Sequence, residues 1–128
     1  MSSNCPHDLK YTDSHEWMRV DGNEVTIGIT DHAQSQLGDL VYVEVPMLGD
    51  EAFVGREVAV VESVKTAADV YSPVTGQIIS VNEALTAQPE LVNQDPYGKG
   101  WLFKIALQNP SELDAYMNAA AYAEKNPD

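Results

Sequence analysis

The 128 residues include 20 acidic and only 7 basic side chains, giving a formal charge of −13, with 44% apolar residues and a single cysteine. That balance argues against nucleic acid and anionic membrane surfaces as partners, since both select Lys and Arg, and it holds too many apolar residues for wholesale disorder. No apolar run is long enough to cross a bilayer, the start Met-Ser-Ser-Asn-Cys-Pro has neither a signal nor a transit pattern, and Cys5 has no second cysteine to pair with, so a reducing cytoplasm is expected.

In chain order, residues 1–10 read as a loosely ordered opening segment, with Cys5 an exposed or frayed thiol. His15 to Val20 and Glu24 to Thr30 are β-rich and joined by Asp21-Gly22-Asn23, which predicts a hairpin. Thr30 or Asp31 caps a short helix over Asp31 to Leu37, and Gly38 supplies its left-handed stop. Leu40 to Val45 alternates Leu40, Tyr42 and Glu44 against Val41, Val43 and Val45, the pattern of a half-buried strand ended by Pro46. Strands are expected at Glu57 to Val61 and Ala68 to Tyr71, then Gln77 to Val81 after the breaker Ser72-Pro73-Val74-Thr75-Gly76.

Asn82 to Leu85 reads as one helical turn, and residues 86–100, with Pro89, Pro96, Gly98 and Gly100, as a long ordered loop or two turns. Trp101 to Leu107 is a final strand with Trp101, Phe103, Ile105 and Leu107 on one face. Leu113, Tyr116, Met117, Ala120 and Ala121 fall at helical spacing, so a C-terminal helix is expected over 110–124, with Ser111 and Asp114 imitating a capping box. Many short strands with outer helices predict a mainly β fold, a small sandwich or flattened barrel of a single domain, residues 1–128. Trp17, Tyr97, Trp101 and Phe103 are assigned to packing.

Most chemical motifs fail on spacing. His7, His15 and His32 form no Cys/His cluster for a metal. Gly98-Lys99-Gly100 opens a strand rather than a helix, so it is no phosphate loop. Cys5 has nothing to activate it. Among 20 acids any two carboxylates can pair, which leaves a small acid/base hydrolase as an alternative.

Lys65 is different. It is the only basic residue from Glu57 to Gly98, and it sits where two strands must reverse, in Glu62-Ser63-Val64-Lys65-Thr66-Ala67, with no Gly or Pro. An ordinary surface lysine would fit the periodicity. A hairpin tip also exposes an ammonium at a fixed place, the geometry that acylation by another enzyme requires.

Glu62-Ser63-Val64-Lys65, followed by Ala68-Asp69-Val70-Tyr71-Ser72-Pro73-Val74-Thr75-Gly76, resembles the lipoyl-attachment motif of the glycine cleavage system H proteins. His15-Glu16-Trp17, Gly28-Ile29-Thr30-Asp31-His32-Ala33, Leu37-Gly38-Asp39, Val43-Glu44-Val45-Pro46 and Val81-Asn82-Glu83-Ala84-Leu85 resemble segments of that family in the same order. Pro89-Glu90-Leu91-Val92-Asn93, Asp95-Pro96-Tyr97-Gly98 and Gly100-Trp101-Leu102 continue the likeness. Val64 and Thr66 lack the flanking Met of biotin carriers, and Val64 replaces the Asp usual before the lysine in 2-oxoacid dehydrogenase lipoyl domains. Thr66 departs from the alanine common in H proteins, and Gln36 from a histidine found in some.

The resemblance implies a non-catalytic carrier of the lipoyl-domain (barrel-sandwich hybrid) type with lipoate in amide linkage to Lys65. It implies shuttling of the aminomethyl group of glycine from a pyridoxal-phosphate glycine decarboxylase (P-protein) to an aminomethyltransferase (T-protein). Reducing equivalents would pass to dihydrolipoamide dehydrogenase (L-protein) by thiol–disulfide exchange. Ser14, Glu16 and Asp69 match the positions of a groove that shields the cationic arm from water. Glu62 and Gly76 match positions read by the modifying enzyme, a lipoyl or octanoyl transferase or a lipoate ligase, with a φ > 0 turn as the physical reason expected for Gly76. A monomer that touches neither nucleic acid nor membrane is expected. Relay of lipoyl groups to other complexes stays open.

Overall fold

In a computed structural model, residues 5–126 are described, as two antiparallel sheets packed face to face. The elements are β1 (Lys10–Tyr11), β2 (Glu16–Asp21), β3 (Glu24–Ile29), α1 (Asp31–Leu37), β4 (Leu40–Glu44), β5 (Glu51–Ala52), β6 (Glu57–Ser63), β7 (Ala67–Tyr71), β8 (Gly76–Val81), α2 (Ala84–Ala87), α3 (Leu91–Gln94), β9 (Phe103–Leu107), a 3₁₀ helix (Pro110–Ala115) and α4 (Ala119–Lys125). One sheet has the order β1-β2-β3-β9-β8-β5 and the other β4-β6-β7. The sheets remain separate, so the fold is a sandwich and not a closed barrel.

Strand alternation decides what goes between the sheets. Met18, Val25, Ile27, Val43, Ala59, Val61, Val70, Ile78, Phe103 and Ile105 turn inward and form the main core. Trp17, one residue from Met18, points to the opposite face of β2 and joins Leu9, Tyr11, Tyr97, Ala119 and Tyr122 in a second cluster under α4. α1 forms as its caps predict: Thr30 Oγ1 accepts from Ala33 N, and Gly38 ends the helix at φ 85°.

Several expectations are corrected. Residues 1–4 of the opening segment lie outside the described residues, but its end is not loose: Leu9 is buried, Lys10 begins a strand, and Cys5 packs half-buried against the second cluster. The alternation of β4 is broken, because a bulge between Leu40 and Tyr42 in its pairing with β6 turns Leu40 and Val43 inward together. The helical turn expected at Asn82 starts at Ala84, since the Asn82 side chain instead donates to the carbonyls of Lys99 and Trp101.

Residues 86–100 include the single turn α3. Trp101 precedes β9 and packs against the second cluster rather than with Phe103. The single C-terminal helix is in fact two pieces. Met117 leaves the helical path to exchange backbone hydrogen bonds with Tyr11, at 2.8 and 3.0 Å, and Asn118 caps a new helix. Ala120 and Ala121 are therefore exposed, while Ala119 and Tyr122 face inward. Asn109, not Ser111, caps the 3₁₀ helix.

Candidate functional site

β6 and β7 form a hairpin in register Glu62↔Ala67, closed by Ser63 N donating to Thr66 O at 2.8 Å. Val64 and Lys65 are its tip. Val64 is 84% exposed, and Lys65 and Thr66 are exposed beside it. The Lys65 stem runs back over Gly38 at the end of α1, where a Cβ would stand 3.5 Å from Lys65 Cε and 3.9 Å from Nζ. Gly38 is itself clamped: Asn93 Nδ2 donates to Gly38 O and to Gln34 Oε1, both at 2.9 Å, and Asn93 Oδ1 accepts from Leu40 N at 2.9 Å. A side-chain clip from α3 thus fixes the ground beneath the lysine. Gln36 lies on the exposed side of α1.

Glu62 is half-buried on β6, beside Ala67 and Tyr42 in the neighbouring strands. Asp69 is exposed on β7 in the row Glu44–Val60–Asp69, facing outward. At the far end of β7 the chain builds a second polar group. The turn Thr12 to His15 brings two hydroxyls onto one carboxylate: Thr12 Oγ1 and Ser14 Oγ each donate to Glu16 Oε1 at 2.6 Å, and Tyr71 N donates to Oε2 at 3.2 Å. Glu16 is only 2% exposed, and burial lifts its carboxyl above the ordinary range despite the opposing pull of the hydroxyls of Ser14 and Thr12 and the Tyr71 amide.

So the expected residues divide. Ser14 and Glu16 are in contact, and the Tyr71 amide ties them to β7. Lys65, Glu62 and Asp69 share one hairpin. Lys65 and Tyr71 are six residues apart, about 20 Å along an extended strand, and Asp69 lies between them on the exposed side. No hydrogen bond joins Asp69 to Glu16 among the described residues.

Gly76 is corrected in its physical reason: it has no positive φ. It stands at the start of β8, where a Cβ would come within 2.0 Å of Ala106 O and 2.6 Å of Ile105 Cγ2, so its role is to let β9 approach. Thr12, Ser63 and Asn93 were not singled out from sequence. Only their place inside the matching blocks or beside them marked the last two. Around the Thr12 turn, His15 adopts φ 71° and its Nδ1 lies 2.7 Å from the Tyr122 hydroxyl, which also meets Thr30 Oγ1 at 2.8 Å. Burial, then the adjacent His32 ring with centroids 4.7 Å apart, lowers the His15 pKa. Among the described residues no group of three or more His, Cys, Asp or Glu could hold a metal, and no helix is long and apolar enough to cross a membrane.

A β-sandwich presenting one lysine at an exposed hairpin tip is the arrangement expected of a carrier domain built around a covalent arm. The family model described as glycine cleavage H-protein matches residues 9–128. The chain is 55% identical over 123 residues to the glycine cleavage system H protein of Marinobacter nauticus, covering 95% of each chain. It is 54% identical over 123 residues to that of Stenotrophomonas maltophilia, covering 95% of this chain and 94% of the other. Its fold matches the crystal structure of a glycine cleavage system H protein from Mycobacterium marinum with a TM-score of 0.87 at 37% identity, covering 94% of this chain and 98% of that one. The chain belongs to the glycine cleavage H-protein family. It is the lipoyl carrier of that system, it bears lipoate on a lysine, and it is not itself a catalyst. The other glycine cleavage components are its partners. The hydrolase alternative falls with this assignment.

Proposed function

We propose that Lys65 is the lipoate-bearing lysine and that the chain carries the aminomethyl group from P-protein to T-protein and reducing equivalents to L-protein. The observation that carries this is the exposed tip of the β6–β7 hairpin, closed by Ser63 N and Thr66 O, which holds the base of an arm while leaving its end free. Lipoate supplies a disulfide that can accept a carbon group and two electrons; the chain supplies attachment, orientation and shelter.

Ser14 and Asp69 offer accessible acceptors to a cationic amine on that arm, and Glu16 stands behind Ser14 as a charge reserve. Glu62 and Gly76 serve the modifying enzyme, a lipoyl or octanoyl transferase or a lipoate ligase. Glu62 presents charge to a basic pocket, and Gly76 acts by keeping the sheet behind the hairpin in register. The excess of negative charge supports a monomer, because like copies repel, and a single cysteine among 128 residues supports a cytoplasmic setting.

The test is intact-mass analysis after incubation with a lipoate ligase, with peptide mapping. The wild-type chain gains one lipoyl-sized increment at Lys65, and Lys65→Arg gains none while keeping its circular dichroism spectrum. An increment on any other residue refutes the assignment.

A further inference from the structure

We infer that Ser63 is a positioning residue for acylation of Lys65: its hydroxyl, acting beside the backbone bond that closes the turn, sets the path along which the lysine leaves the hairpin. The inference rests on Lys65 being the attachment lysine. Two-residue hairpin loops favour turns with positive φ at one or both central positions, normally filled by Gly or Asn, because those turns match the twist of the strands. Here the central residues are Val64 and Lys65, and neither has a positive φ. A negative-φ loop splays the strands it joins, so something must hold the tip shut.

The backbone bond from Ser63 N to Thr66 O is one tie, and the Ser63 hydroxyl supplies the others with one oxygen. Thr66 N donates to Ser63 Oγ at 3.2 Å, and Lys65 N donates to the same oxygen at 3.3 Å. The hydroxyl in turn donates to Thr66 O at 3.3 Å. Both amides of the exposed half of the turn are thereby satisfied by a side chain that is 8% exposed, directly beneath a neighbour that is 84% exposed. A hydroxyl buried there without these partners would be costly, so geometry and burial enforce one another.

Acylation requires the uncharged Lys65 amine to attack the carbonyl of an activated acyl donor, such as an acyl adenylate. The C–N bond forms, the acyl–oxygen bond to the phosphate breaks, the nucleotide leaves with the electron pair, and the amine's proton passes to solvent. The modifying enzyme must receive the lysine end-on for this. The fraction of tips already in the closed form divides the intrinsic affinity, so a loosened tip raises KM and spares kcat.

The experiment uses the full unmodified chain as substrate for a purified lipoate ligase, well below its melting temperature. Ser63→Ala and Ser63→Thr are compared with wild type by kcat and KM from intact mass, and by amide hydrogen exchange of Lys65 and Thr66. Losing one or two hydrogen bonds of ordinary strength changes the closed-to-open ratio by about 5- to 30-fold, which is the ceiling on the change in KM. Ser63→Ala is expected to raise KM by at least about twofold and at most by that factor, leave kcat within about twofold, and speed exchange at Lys65 and Thr66, with Ser63→Thr restoring all three. Unchanged exchange, unchanged KM, or no rescue by threonine overturns the role of Ser63. A wild-type chain never acylated at Lys65 overturns the attachment reading instead, and the acylation role with it, while the exchange data still report whether the hydroxyl holds the tip.

Discussion

Replacing Gly76 with alanine tests whether this glycine is read by a partner or simply lets two strands meet. The added Cβ would stand 2.0 Å from Ala106 O and 2.9 Å from Ala106 C, against a usual carbon–oxygen approach of about 3.3 Å. The obstacle is backbone and cannot rotate aside. Ala106 is held on its other side by Glu24 of β3, while Gly76 pairs with both Leu107 and Ala52, so relief means parting strands on two ladders. Overpacking typically costs 1–3 kcal/mol, and an obstacle of this kind belongs at the upper end, about 3 kcal/mol. At this chain size each kcal/mol moves Tm by roughly 3–5 °C, so Gly76→Ala should melt about 9–15 °C below wild type. Thermal unfolding by circular dichroism measures this, and lipoylation rates are then compared at a temperature where both proteins are folded. A variant that melts within about 2 °C of wild type yet resists lipoylation would refute the packing argument and make Gly76 a direct contact of the enzyme.

Glu16→Gln should flatten the pH dependence of stability. Since burial raises the folded pKa of Glu16 above its ordinary value of 4.5, the unfolded chain ionises first as pH rises past 4.5, and wild-type stability falls until the folded value is passed. Urea unfolding of both proteins from pH 4 to 8 checks this; parallel profiles would contradict it. His15 acts with the opposite sign. Its folded pKa lies below 6.5, so as pH falls through 6.5 the unfolded chain takes up a proton first and stability is lost. His32→Gln removes the facing ring charge, and its loss between pH 7.5 and 5.5 should be smaller than that of wild type. Tyr122→Phe keeps the ring stacked on Tyr11 but deletes the hydroxyl between Thr30 and His15, and should cost about 1–3 kcal/mol in the same assay.

Local signals carried far in this sequence. The β2–β3 hairpin, α1 with its Thr30 and Gly38 caps, and the solitary lysine between two strands are each specified by residues within a few positions of one another, so they are legible without the rest of the chain. The features that were not legible depend on partners distant in sequence. The break at Met117 exists because Tyr11 offers it a strand edge, and no periodicity in residues 110–124 reveals that. The bulge in β4 is set by the register of β6. Gly76 resembles a turn glycine until β9 is laid beside it. Asn93, an unremarkable polar residue in a loop segment, becomes a clip only when α1 and β4 reach it. The hairpin and its lysine were therefore readable, and the residues that support them were not.

The hairpin that carries Lys65 bears on how strongly a carrier must grip its own cargo. With lipoate on Lys65, as proposed, the hairpin holds the base of the arm, and the arm's end is confined to a small volume beside the protein, which corresponds to an effective concentration on the order of millimolar. A shelter around Ser14 and Asp69 with an intrinsic dissociation constant of about a millimolar would then be filled roughly half the time. Weak contacts suffice to protect the load between encounters. An enzyme offering slightly better ones can draw the arm out without the carrier unfolding or changing shape.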